Sequence, residues 1–164
     1  MLSGLAQSNH DELVKGITIM FEMPQEIYSQ GPGSHFRHVA DFYRSLIYSE
    51  NGLVNLSDRI RNTSMEQDKY EGISSYQKLL VDYDRFIEDH YATARTPLMV
   101  KDQVGDKVEH IAHTLDSFLH FLGSHVTHHW WIIREKSREL GHIIDDETFG
   151  VSSSTLEYRK KCAR

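Results

Sequence analysis

Residues 114–140 read TLDSFLHFLGSHVTHHWWIIREKSREL, and this stretch decides the fold. Leu115, Phe118, Leu122, His125, His129 and Ile132 follow one another at alternating intervals of three and four, the a/d seam of a helix packed in a bundle. Gly141 supplies the stop. At 1.5 Å per residue this helix is roughly 40 Å long, more than a small core needs by itself, so it is expected to be the spine of an antiparallel bundle. Three more helices fit around it. Residues 11–30 carry Leu13, Ile17, Met20 and Ile27 on one face. Gly31-Pro32-Gly33-Ser34 then breaks the chain, with Ser34 as the expected N-cap of a second helix, 35–49, whose apolar face is Val39, Phe42 and Leu46. Tyr76, Leu80, Tyr83 and Ile87 predict a third helix over 65–91.

The connections follow from turn chemistry. Asn51-Gly52 ends the second helix, and residues 51–64 hold several turn formers with neither helical nor strand period, which predicts a long irregular loop. A small β-hairpin turning at Gly105-Asp106 fits residues 96–112 better than helix does. The tail, 142–164, is expected to pack irregularly across the helices. The expected class is all-α: one domain over residues 1–164, an antiparallel four-helix bundle with a long irregular loop after helix 2 and a small β-hairpin before the last helix.

Composition narrows the function. The 164 residues include 24 acidic and 18 basic side chains, a formal charge of −6. This balance argues against a general nucleic-acid binder, which needs a basic face to release counterions from phosphates. One cysteine, Cys162, excludes an internal disulfide framework. The first ten residues lack a basic start followed by an apolar run, and no stretch approaches the ~18 apolar residues of a membrane span. A soluble cytoplasmic protein with no membrane contact is expected. No Ser-His-Asp arrangement, Gly-rich phosphate loop or CxxC pair is present.

Eleven histidines stand out, six of them between His110 and His129. His125 and His129 are one helical turn apart on a core seam, the geometry with which two histidines on one helix share a metal ion. If they are instead satisfied by protein partners, each ring nitrogen still needs one, since an orphaned buried polar group costs on the order of 1–3 kcal/mol. The second helix offers His35 and His38, with Asp41 one turn on. On a helical wheel His35 lies nearer the centre of the Val39–Phe42–Leu46 stripe and His38 toward its edge. Four inward-capable histidines on two helices predict a metal site. Asp41 is a candidate to orient a ligand histidine, and Arg59 and Arg61 could form a fork for a carboxylate or phosphate. His128, about 100° around the helix from His129, is expected on the flank. Trp130 and Trp131 are expected as core or interface aromatics.

Gly33-Ser34-His35-Phe36-Arg37-His38-Val39-Ala40-Asp41 resembles the G-x-H-x-R-H-x-x-D run that opens the second helix in one branch of the DinB-like metal-binding bundles. Ser124-His125-Val126-Thr127-His128-His129-Trp130 is similar to that branch's S-H-x-x-H-H-aromatic segment. Asp58-Arg59-Ile60-Arg61 with Glu66 resembles its D-R-x-R loop and downstream glutamate, and Phe149-Gly150-Val151 through Ser154-Thr155 its F-G-V-x-x-S-T tail. The segments come in the same order. The resemblance implies a bundle, often a homodimer, holding a divalent metal, zinc or nickel, on one histidine of the second helix and an H-x-x-x-H pair of the last. Carried over by position, the ligands are His38, His125 and His129, with His35 as a supporting or alternative ligand.

Three neutral histidines leave at least one coordination position open, as in catalytic zinc sites. The resemblance therefore implies a metal-dependent enzyme, a transferase activating a low-molecular-weight thiol or a hydrolase. The competing expectation is a non-catalytic metal-binding or stress-associated interaction bundle.

Overall fold

The computed structural model describes residues 4–58, 60–90 and 97–163. In chain order these form helices α1 (Gly4–Glu22), α2 (Gln25–Tyr28) and α3 (Pro32–Ile47), strand β1 (Leu53–Asn55), helices α4 (Ser64–Gln67) and α5 (Lys69–His90), strands β2 (Pro97–Val104) and β3 (Lys107–Thr114), and helices α6 (Leu115–Glu139) and α7 (Ser153–Cys162). Arg59, and the expected ends of the third helix at 91 and of the hairpin at 96, lie outside the described residues.

Local chemistry explains where the expected helices divide. Pro24 has no N–H to continue a helix, so the segment 11–30 splits into α1 and α2. Gly31 adopts φ 147°, a region open to glycine, and Pro32 starts α3 three residues earlier than expected. Asp68 is extended (φ −119°, ψ 114°) and separates α4 from α5. Thr114 and Ser117 cap α6 reciprocally, each side chain accepting the other's backbone N–H. Gly141 sits beyond its end at φ 85°. The tail is less irregular than expected: Ser152 accepts the Thr155 N–H and starts α7.

The all-α class is overturned. The hairpin strands pair antiparallel, Pro97 opposite Thr114 and Val104 opposite Lys107, and the segment expected as pure loop contributes β1, which lies parallel to β2 with Leu53 opposite Met99. The result is a three-stranded mixed sheet in the order β1-β2-β3 beside the helices. Periodicity could not show β1, because three residues are too few to display an alternation.

The helices α1, α3, α5 and α6 surround the core, and their directions also differ from a simple antiparallel bundle. Met20 lies against Gly72, Gly16 against Tyr76, and Ala6 accepts from Tyr83, so α1 and α5 are antiparallel. Asn9 bonds the Leu119 carbonyl while Gly16 meets Trp130, so α1 and α6 are parallel. Arg44 meets Ser75 and Tyr48 meets Asp82, so α3 and α5 are parallel as well. The chain therefore climbs back along α3 after Tyr48 and starts α5 at the end where α3 began. That return, residues 49–68, is why the connection is long.

The core is aromatic. Tyr28, Tyr43, Tyr76, Tyr83, Phe36, Phe118, Phe149 and Trp130 are fully buried. Each buried tyrosine hydroxyl donates to an acceptor: Tyr28 to the Met65 carbonyl, Tyr43 to Asn9 Oδ1, Tyr76 to the Phe36 carbonyl and Tyr83 to the Ala6 carbonyl. Burial pushes all four phenols above their ordinary value. Among the described residues no helix is long and apolar enough to cross a membrane.

The tail is clamped to α6, where Arg134 donates to the Asp146 and Phe149 carbonyls and Phe149 stacks on Trp130, with centroids 5.2 Å apart. Gly150 has φ 75°, and a Cβ there would lie 2.5 Å from the Trp131 nitrogen. Gly150→Ala is expected to destabilise the fold by about 1–3 kcal/mol through overpacking and backbone strain. Chemical denaturation reads this directly, and an unchanged midpoint would show that the tail is not part of the cooperative unit.

Candidate metal centre

The three histidines are brought together by the antiparallel crossing of α3 and α6. On α6 the buried apolar stripe is Leu115, Phe118, Leu119, Leu122, Val126, Trp130 and Ile133, with His129 and Ser137 buried beside it. A straight helix drifts about 20° per heptad against a strict 3.5 repeat. Thus the seam read as 115-118-122-125-129-132 leaves the core centre after Leu122, and His125 and His129 fall at the edge facing α3. Their partner also stands at an edge. Val39, Phe42 and Leu46 are buried while His38 is half-buried beside them, which places it against α6.

One nitrogen from each of His38, His125 and His129 lies within 4.8 Å of the other two. Nε2 of His38 and Nε2 of His125 are 3.1 Å apart. Nitrogens held about 2.0–2.1 Å from one tetrahedral ion lie about 3.3 Å from each other, a spacing that the His38–His125 pair matches and onto which His129, within 4.8 Å of both, would close. His129 is 8% exposed, while His38 and His125 are half-buried, leaving one side of the cluster toward solvent. The His125 ring packs on Phe42 (centroids 4.1 Å) and on Phe121 (5.7 Å), two rings that also touch each other at 6.1 Å, and these contacts fix its orientation.

His35 Nδ1 lies 3.0 Å from His129 Nδ1. If His129 offers Nε2 to an ion, its Nδ1–H donates to His35, the arrangement by which an outer partner fixes the tautomer and ring plane of a ligand. His128 is exposed on the flank, as are His110 and His120, and His113 bonds Ser117.

Asp41, expected as the orienting partner of a ligand histidine, gives one carboxylate oxygen to Arg37 (2.6 Å) and the other to Arg44 (3.3 Å). Arg61 is exposed, and Arg59 lies outside the described residues. What sequence reasoning missed is Arg37. Its buried guanidinium ties Asp41 to Glu66, whose Oε1 accepts from Arg37 Nε at 2.8 Å and from the Asn62 N–H at 3.0 Å. The Arg37–Asp41 spacing of four residues was the available signal.

Burial lowers the His129 pKa to about 2, with the neighbouring imidazoles His125, His38 and His35 adding to the shift. Burial likewise lowers that of His35, followed by Lys136. A depressed histidine pKa means that the unfolded chain binds more protons than the folded one below the ordinary value of 6.5, so stability falls as pH drops through that range. The metal-free protein is expected to lose stability steadily from about pH 6.5 downward. Denaturation midpoints that stay flat between pH 7 and pH 5 would contradict this.

No protein-family model, curated protein or solved structure matches the chain.

Proposed function

We propose that the chain is a DinB-like metal protein in which His38, His125 and His129 hold one divalent ion, zinc or nickel, and that it is a metal-dependent enzyme of the transferase or hydrolase type. The convergence of three histidine nitrogens from two helices carries the reading. The order of the G-x-H-x-R-H-x-x-D, D-R-x-R, S-H-x-x-H-H and F-G-V segments adds support.

A divalent ion held by His38, His125 and His129 would supply Lewis acidity to a bound substrate. The chain's own residues do the rest. His129 is kept neutral by burial and so offers a lone pair at physiological pH. Phe42 and Phe121 hold the His125 ring, and His35 holds that of His129. The half-buried rims of His38 and His125 give access for a small substrate. On the same resemblance that substrate is a low-molecular-weight thiol and the assembly a homodimer. A thiol would have to arrive with the substrate, because the sole cysteine, Cys162, is exposed on the tail helix α7.

Metal analysis of protein prepared without a histidine tag tests the reading. About one zinc or nickel per chain is expected, as isolated or after reconstitution; a content well below one after reconstitution overturns it.

A further inference from the structure

The mixed sheet ends at β3, whose outer edge has no strand beside it. Met99 donates its N–H to the Gly52 carbonyl and Lys101 accepts from the Leu56 N–H, so the polar backbone groups of both residues point toward β1. In an antiparallel ladder each such residue stands opposite a partner whose own N–H and C=O point the other way. The partners are Ala112 and His110, and the alternation carries on to Val108, opposite Gln103. The N–H and C=O groups of Val108, His110 and Ala112 are therefore presented outward, and among the described residues none of them is bonded.

Exposed edges are ordinarily guarded by a proline, a bulge or a very short strand. β3 has none of these, since its register with β2 runs unbroken over 8 residues, Lys107 to Thr114. Its side chains are also unfinished on one face. Ile111 lies opposite Val100 and His113 opposite Leu98, on the face where Val100 and Leu98 are buried, yet Ile111 is 41% exposed. Glu109 stands exposed on the same face.

A second copy of the strand completes this edge. Backbone groups match where outward residues oppose outward residues, and two or more of them do so only for two-fold axes at residue 109, 110 or 111. An axis at Glu109 sets that carboxylate against its own copy. One at His110 sets Lys107 against His113 and leaves Glu109 opposite Ile111. An axis at Ile111 gives Ile111 its own copy as an apolar neighbour, sets Glu109 against His113 on both sides, and pairs His110 with Ala112 through the backbone. Like charges directly opposite destabilise a ladder, whereas opposite charges and apolar pairs stabilise it. We propose that β3 joins β3 of a second copy antiparallel, about a two-fold axis at Ile111, into one continuous sheet. This names the surface of the homodimer put forward above and rests on that part of the reading alone, not on a bound metal.

Sedimentation of the full chain between about 1 and about 200 µM tests it, micromolar self-association being expected for so small an interface. Ala112→Pro removes an N–H that faces away from β2, a change an edge strand tolerates. It is expected to weaken dimerisation at least tenfold with circular dichroism unchanged. In a Cys162→Ser background, mild oxidation is expected to cross-link Ile111→Cys into a covalent dimer faster than His110→Cys, whose two copies stand too far apart for a disulfide. A chain that stays monomeric throughout overturns both this inference and the homodimer, leaving the edge to a different extended chain. A dimer that Ala112→Pro leaves intact, or that cross-links as fast through His110→Cys, overturns the inference while the homodimer stands.

Discussion

Replacing His129 with alanine is expected to weaken divalent-metal binding by at least about 100-fold, beyond the 10–100-fold that loss of a supporting partner costs. The variant should keep its helical circular dichroism. His129 has 8% exposure and meets both other candidate ligands, with ring centroids 4.4 Å from His38 and 4.5 Å from His125. Its loss leaves two donors on different helices. Alanine at 129 also relieves the cost of keeping an imidazole neutral in a buried position, so the metal-free variant is expected to resist acid better than the parent. A merely structural histidine would show the acid effect without the metal effect. His125→Ala is expected to match it in metal affinity. His35→Ala should cost only the smaller factor, because its contact is to the Nδ1 of His129, whereas His38→Ala should resemble loss of a ligand. Equal effects of the His35 and His38 variants in a competition assay would refute the division of roles.

Glu66→Ala is expected to be the most destabilising change outside the aromatic core, by about 3 kcal/mol. Both Glu66 and Arg37 are 7% exposed, and the carboxylate takes one guanidinium N–H and the Asn62 N–H together. Removing one member of a buried pair costs about 3–5 kcal/mol because the other charge is left desolvated. Asp41 still faces Arg37, which puts the expected value at the lower end. For a chain of this size the melting temperature falls by about 10 °C. Glu66→Gln keeps an acceptor for Asn62, a non-glycine residue at φ 56°, and should lose less. A loss below about 1 kcal/mol in the alanine variant would show that the return segment is anchored elsewhere.

These two residues illustrate what a sequence can disclose. The pair at 125 and 129 was legible because histidines interrupting an apolar seam break the pattern that helical burial imposes. That His38 and not His35 stands in the cluster with His125 and His129 was not legible from periodicity. The wheel favours the residue nearest the stripe centre, but the partner helix α6 packs on the stripe's edge, and which edge is a tertiary fact. The parallel run of α3 and α5 was invisible for a similar reason: an apolar face records that a helix packs, not in which direction its neighbour points. The sequence marks Glu66 only as a glutamate downstream of the D-R-x-R run, since a buried ion pair between residues 29 apart leaves no local trace. Asp41, one turn from His38, suggests a histidine partner by spacing, yet Arg37 is just as near on the helix surface and carries the opposite charge.

The parallel pairing of Leu53 with Met99 sets an order of events during folding. A parallel neighbour cannot be reached by a tight turn, and here the whole of α5 lies between the two strands, so β1 and β2 meet only after a long closure whose entropy is not offset until α5 is seated. Thr114 is at once the last residue of β3 and the N-cap of α6. The hairpin of β2 and β3 and the helix it feeds are local in the chain, whereas β1 joins β2, and His38 meets His125, only across the distant α3–α6 contact. Refolding is expected to be slower than for a bundle of sequential hairpins. In a stopped-flow experiment, capture of a coloured metal ion should lag behind the gain of helical signal.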